Sequence, residues 1–255
     1  MFGDLLREAW LAARLQPPTS YVLGLFVNSL WLTVVLLAIA WYGGDLREVA
    51  RVVFWGSVVF TIFSEGTWSA AAFSNYVRSG VMDYVVASPA RLHLYLTAAS
   101  LASSLLALPA LGIQVAVYYL LFGEPPPMAQ PAYFAASLLI FLASSSFITA
   151  AATMFFARFR NPSLAANVVQ WAVPLSGGMI PPTAMPPEAA RWFAYSPLHY
   201  VVAPVTYSAT GRWLLDPVFT MAAGLLVAAG LGLLSLYAAE SAYRMFRRLG
   251  KWGAE

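Results

Sequence analysis

Ala132-Tyr-Phe-Ala-Ala-Ser-Leu-Leu-Ile-Phe-Leu-Ala-Ser-Ser-Ser-Phe-Ile-Thr-Ala-Ala-Ala-Thr-Met-Phe-Phe-Ala157 contains no Asp, Glu, Lys or Arg. A helix needs about 20 mostly apolar residues to cross roughly 30 Å of hydrocarbon. This stretch therefore reads as a transmembrane helix. Five more stretches of the same kind flank it: Tyr21 to Tyr42, Val52 to Tyr76, Leu94 to Phe122, Ser163 to Ile180 and Pro217 to Ala239. The sequence thus predicts an all-α integral membrane protein with six spans in a single domain. Composition agrees, since 60% of the 255 residues are hydrophobic, 10% are charged, and mean hydropathy is +0.70. A soluble domain is roughly half apolar and about a quarter charged. A nucleic-acid binder, a cytosolic enzyme and a disordered chain are excluded.

Two scarcities narrow the chemistry. The chain has no Cys, so it has no disulfide, thiolate metal site or thiol catalyst. Its one lysine is Lys251. A P-loop needs a lysine after a glycine-rich turn to hold nucleotide phosphates, so no such ATPase lies in this chain. His-Glu-x-x-His and Gly-x-Ser-x-Gly patterns are also lacking.

The segments between spans carry the remaining information. Phe2, Leu5, Leu6, Ala9, Trp10 and Ala13 recur at helical spacing, with Asp4, Arg7, Glu8 and Arg14 largely opposite. Residues 1–18 therefore read as an amphipathic interfacial helix, broken by Pro17-Pro18. With the N-terminus placed in the cytoplasm, the inside holds Arg7, Arg14, Arg78, Arg91, Arg158, Arg160, Arg244, Arg247, Arg248 and Lys251. The outside holds only Arg47, Arg51, Arg191 and Arg212. Basic residues favour the cytoplasmic side, so both termini are expected there. The basic tail 240–255 suits an anionic leaflet surface. His93 and His199 then fall on opposite faces and cannot share a metal.

Residues 78–93 are too long for a tight turn and too apolar for a solvated loop. Val81, Tyr84 and Val85 fit one face of a short helix along the membrane, ended by Ser88-Pro89. Such a helix either lies in the interface or docks a soluble partner. Beyond the fifth span, Gly177-Gly178, Pro181-Pro182, Pro186-Pro187 and Pro197 cannot continue one helix. The segment stays apolar through Tyr207 yet is too short to cross and return. It reads as a re-entrant hairpin over 181–207, either an outer gate or a cap on the bundle. Irregular backbone at membrane depth survives only where it is buried in protein or lines a cavity. Glu65 lies roughly 20 Å into the second span at 1.5 Å per residue. A carboxylate there should face protein or water, as a pathway residue or a hydrogen-bonded structural one.

The order of these parts resembles the ABC-2 type transporter permeases. An amphipathic helix and two spans lead to a Gly-x-x-Asp…Ser-Pro cytoplasmic segment. Three more spans lead to a Ser-Gly-Gly…Pro…Pro hairpin ending in Pro-x-x-Tyr, then a last span and a basic tail. The resemblance covers essentially the whole chain and is nearest to short drug and antibiotic exporter permeases. It implies a plasma-membrane exporter subunit of a hydrophobic or amphipathic substrate, paired with a second copy or a sister permease. Two copies of a separate ATPase subunit would bind ATP and Mg, and this chain would hold no cofactor. Gly80, Asp83, Tyr84, Ser88 and Pro89 would form the coupling helix on that ATPase. Gly177, Gly178, Pro181, Pro186 and Pro197 would form the extracellular gate hairpin. Two other readings stand beside it: export of a polysaccharide or glycolipid, and an intramembrane lipid-acting enzyme using Glu65.

Overall fold

The computed structural model describes residues 46–78 and 91–249. The expected interfacial helix, the first span, the coupling residues Gly80, Asp83, Tyr84, Ser88 and Pro89, and Lys251 lie outside the described residues. Among those described there is no strand. The helices are α1 (Leu46–Arg78), α2 (Leu92–Leu106), α3 (Leu108–Phe122), α4 (Pro131–Phe156), α5 (Pro162–Ser176), α6 (Pro187–Phe193), α7 (His199–Thr210) and α8 (Pro217–Leu249). A single 3-10 turn, Pro182–Ala184, precedes α6.

Proline and glycine set most boundaries. Pro begins α4, α5, α6 and α8, where its missing N–H is no loss and its fixed φ suits the first turn. Gly123 and Gly211 end α3 and α7 in the left-handed region at φ 71° and 72°. Each donates its N–H back to the preceding turn, Gly123 to Tyr119 and Gly211 to Tyr207. Asp216 caps α8, its carboxylate accepting from the Phe219 N–H at 2.9 Å.

Four stretches of the described residues are long and apolar enough to cross a membrane: Val49–Phe73, Leu92–Phe122, Pro131–Phe156 and Pro217–Met245. The structure differs from the expectation in three places. The stretch 94–122 is two helices meeting at Ala107, because Pro109 has no N–H for the carbonyl four residues back. The fifth stretch stops at Ser176 after 15 residues, about 22 Å at 1.5 Å per residue. The last helix continues through the basic segment to Leu249.

α1 and α4 form the centre. α1 packs on α2, α4, α5 and α7, and α4 packs on α2, α7 and α8. Phe54, Phe63, Tyr118, Phe141 and Tyr207 are fully buried between them. Packing of this kind draws on van der Waals contact and hydrogen bonds rather than on escape from water.

Candidate functional site

The hairpin that follows α5 is seated on three close backbone approaches. Gly178 adopts φ 86°, which turns the chain back after α5. A Cβ on Gly177 would lie 2.5 Å from the Val202 side chain and 3.1 Å from the Leu198 carbonyl, so α7 crosses tightly over this point. A Cβ on Gly56 of α1 would collide with the Met179 carbonyl. Pro204 lies inside α7 and donates nothing to the Tyr200 carbonyl one turn back. That oxygen instead lies against Gly224 of α8, where any Cβ would collide with it. The freed carbonyl thus faces a Cα–H, a weak partner but a close one.

The prolines expected in the hairpin have local roles. Pro181 precedes the 3-10 turn, and Pro186 precedes α6 in extended geometry. The Pro197 carbonyl accepts the Tyr200 N–H at 3.3 Å. Tyr200 donates its hydroxyl to Ala194 at 2.9 Å, tying α6 to α7. The loop before α4 pairs with the end of α7 through Ala129 N–H to Ala209 and Gln130 N–H to Ser208. His199 sits at the base of α7, fully buried. Neither ring nitrogen has a partner among the described residues. Its ring packs edge-on against Tyr200 and Tyr207 at 5.4 and 5.6 Å. Burial pushes its imidazole down to about 4, so it is neutral at physiological pH.

A polar seam runs through the bundle. Ser64 and Trp68 of α1 both donate to the side-chain oxygen of Gln170 on α5, each at 2.8 Å. The Gln170 amide donates to Asn167 at 2.6 Å. On the other side, Gln114 of α3 donates to Thr61 at 3.0 Å. Glu65 is half-buried beside this network. One turn below it, Ser69 joins Ser100, Ser103 and Thr153 in lining a 60 Å³ cavity between α1, α2 and α4. Such a site is polar and roomy enough for water.

At the hairpin end a cleft of 130 Å³ is lined by Arg51, Pro127, Pro181, Thr183, Thr210 and Arg212. Arg51 pairs with Glu124 at 2.8 Å. The Trp55 indole N–H donates to the Pro127 carbonyl at 2.7 Å, fixing the loop that forms one wall. Arg51 and Glu65 lie on the same helix, roughly 20 Å apart at its rise.

The family model for the ABC-2 type transporter matches residues 5–210. The chain belongs to the ABC-2 type transporter family. No curated protein matches it. ABC-2 permease domains are membrane components rather than ATPases, and they normally work with an ATPase subunit. This chain is accordingly a multi-pass membrane protein of the ABC transporter family.

Of the residues expected at the ABC-2 hairpin, Gly177, Gly178, Pro181, Pro186 and Pro197 all fall between α5 and α7 as one continuous turn system. Glu65 lies apart from them, far down α1. The coupling residues lie outside the described residues. Sequence reasoning passed over Gly56, Gln170, Gly224 and the Arg51–Arg212 cleft, and weighed His199 only as a metal ligand. Gln170 and Asn167 carried a usable signal, being amides inside an apolar stretch. Gly56 and Gly224 carried none, because a glycine inside a span does not reveal which backbone approaches it.

Proposed function

We propose that the chain is the permease subunit of an ATP-driven exporter that moves a hydrophobic or amphipathic substrate, drug-like or lipid-like, out of the cell. The observation that carries this reading is the family match over residues 5–210, in a chain whose single lysine leaves no P-loop. The energy must then come from a partner ATPase. In this reading six spans cross the plasma membrane with both termini cytoplasmic, and two permeases pair with two ATPase copies. The second permease is another copy of this chain or a sister permease in the same role. ATP-driven closure of the ATPases moves the segment Gly80–Pro89, with Asp83 as its charged contact. The permeases rock about their shared interface, and the pathway opens beneath the hairpin. The close seats at Gly56, Gly177 and Gly224 support a hairpin that moves with α1 and α8 as a unit. Glu65 serves this pathway or its packing.

The test is Asp83→Lys, or deletion of 80–89, followed by co-purification with the partner ATPase subunit and by transport in vesicles. Interface anchors cost about 2 kcal/mol or more when lost, so ATPase retention should fall at least about tenfold, and transport with it. Undiminished retention and transport would overturn the coupling assignment. In the same vesicles Glu65→Gln should slow transport or loosen the permease pair. Wild-type behaviour in both returns Glu65 to a plain structural role.

A further inference from the structure

Between α5 and α7 the hairpin leaves one face uncovered. In α6 and the turn after it, Trp192 is 74% exposed and Tyr195 is 81% exposed, whereas Ala190 is buried. The Tyr195 N–H donates to the Trp192 carbonyl at 3.2 Å, so the chain winds here as a 3-10 turn. Residues three apart in such a turn point the same way. The two rings therefore stand side by side, with centroids 6.1 Å apart. Glu188 and Arg191 of α6 are exposed as well.

Two neighbouring spans give the depth of this face. Met179, before the 3-10 turn, meets Gly56, seven residues into the apolar stretch Val49–Phe73. Tyr200, after α6, meets Gly224, seven residues into Pro217–Met245. Between these points the chain climbs to the end of the bundle, where Pro181 and Thr183 share a cleft with Arg51 and Arg212. α6 lies on the return from that end. Trp192 and Tyr195 thus sit within the last ~10 Å of the spans, at 1.5 Å per residue. Interfacial helices bury their apolar faces to a similar depth, about 5–10 Å.

We propose that Trp192 and Tyr195 insert among the lipid headgroups at this end, so that α6 anchors the hairpin to the membrane surface. Each ring joins an apolar body to a polar N–H or O–H, the combination that this layer favours. Deeper in hydrocarbon, Glu188 and Arg191 would be costly. In bulk water the rings would forgo the burial that apolar surface favours. A second copy of this chain is the weaker occupant. Two aromatic side chains bury at most about 500 Å² together, short of the ~800 Å² that each partner gives a stable interface. The anchor is rigidly tied to the bundle. Tyr200 donates its hydroxyl to Ala194, which lies between the two rings in sequence, at 2.9 Å. The Tyr200 carbonyl is in turn seated on Gly224. The depth of the rings therefore sets the height of the hairpin against α8, whatever cargo is moved.

The test is tryptophan fluorescence of the full-length protein in nanodiscs of phosphatidylcholine brominated near the head end or near the tail end of its acyl chains. The Trp192 signal is what Trp192→Phe loses relative to wild type. Trp192 is exposed, so thermal unfolding of that variant should match wild type. Head-end bromine should quench this signal more than tail-end bromine and more than aqueous iodide. Tyr195→Trp, which adds an indole rather than removing one, should give the same order of quenching in the signal it gains. Iodide as the strongest quencher would put the rings in water and overturn the proposal. Tail-end bromine as the strongest would put them in the hydrocarbon core and overturn it too. So would a signal that none of the three quenches, and loss of the permease pair in Trp192→Ala would then identify a second copy as the occupant.

Discussion

α1 and α8 have the same length, 33 residues, and both are apolar enough to cross a membrane. In the most apolar stretch of α1, 72% of residues are buried; in that of α8 only 22% are. The more buried helix is the one richer in polar residues. Ser57, Thr61, Ser64 and Thr67 of α1 are buried, whereas Leu225, Leu226, Leu233 and Leu234 of α8 are exposed. In water the opposite rule holds. In a bilayer the surroundings are as apolar as leucine, so large apolar side chains need not be hidden. What must be hidden is polarity, and what permits close packing is small size. The hydroxyls of α1 satisfy both demands by turning back on their own helix. Ser57 donates to Phe54 at 2.7 Å, Thr61 to Ser57 at 2.9 Å and Thr67 to Phe63 at 2.9 Å.

Two glycines break the comparison most sharply. Gly56 of α1 has the Met179 carbonyl where its Cβ would go, whereas Gly230 of α8 has nothing within 4 Å. The obstacle at Gly56 is backbone, which cannot rotate aside. Gly56→Ala should cost about 3 kcal/mol or more, the upper range for overpacking, and lower the unfolding temperature in detergent. Gly230→Ala should be neutral or stabilising by about 0.5–1 kcal/mol, since it only removes backbone freedom. Equal effects at the two sites would mean that the Met179 seat is not formed in the folded protein.

This contrast also marks how far sequence could be read. Long apolar runs with at most one charge located α1, α4 and α8, because a bilayer imposes length and apolarity on any span. Gly177-Gly178 and the prolines from Pro181 to Pro197 located the hairpin, because no helix passes through them. The join at Ala107 was hidden, since Pro109 sits within an otherwise unbroken apolar run and the helix axis merely kinks. The seats at Gly56 and Gly224 were hidden for another reason. Hydropathy reports what a residue prefers as solvent and says nothing of which carbonyl comes to meet it. The Arg51–Arg212 cleft was hidden likewise, because only the fold brings those two positions together.

His199 sharpens the comparison at the hairpin, which is buried like α1 yet holds an ionisable ring with no partner among the described residues. Its imidazole is lowered to about 4, against about 6.5 when unfolded. The unfolded chain therefore takes up the proton first. The neutral ring costs nothing above about pH 6.5. Stability falls as pH drops from there toward about 4, by up to about 3 kcal/mol. His199→Gln removes this dependence. Thermal unfolding across that window should show wild type losing more than the variant, by about 1 kcal/mol near pH 5.5. Parallel curves would mean that the ring is solvated or partnered.

The smallest effect concerns the hydrogen bonds that α1 makes to a neighbour rather than to itself. Gln170 accepts from both Ser64 and Trp68. Gln170→Leu leaves two donors facing an apolar side chain. In a water-soluble core that loss would be severe, because the unfolded donors would have bonded to water. Here the separated helices remain in lipid, where the same donors find only local carbonyls. Interhelical bonds in this setting are worth about 0.6 kcal/mol on average and seldom more than about 1.7. The expected cost is thus about 1 kcal/mol, measured by unfolding in lipid nanodiscs. Ser64 can also turn to its own helix, as Ser57 and Thr61 already do. A cost several times larger would mean that α1 and α5 separate into water-filled space rather than into lipid. The seam around Glu65 would then be hydrated even in the resting bundle.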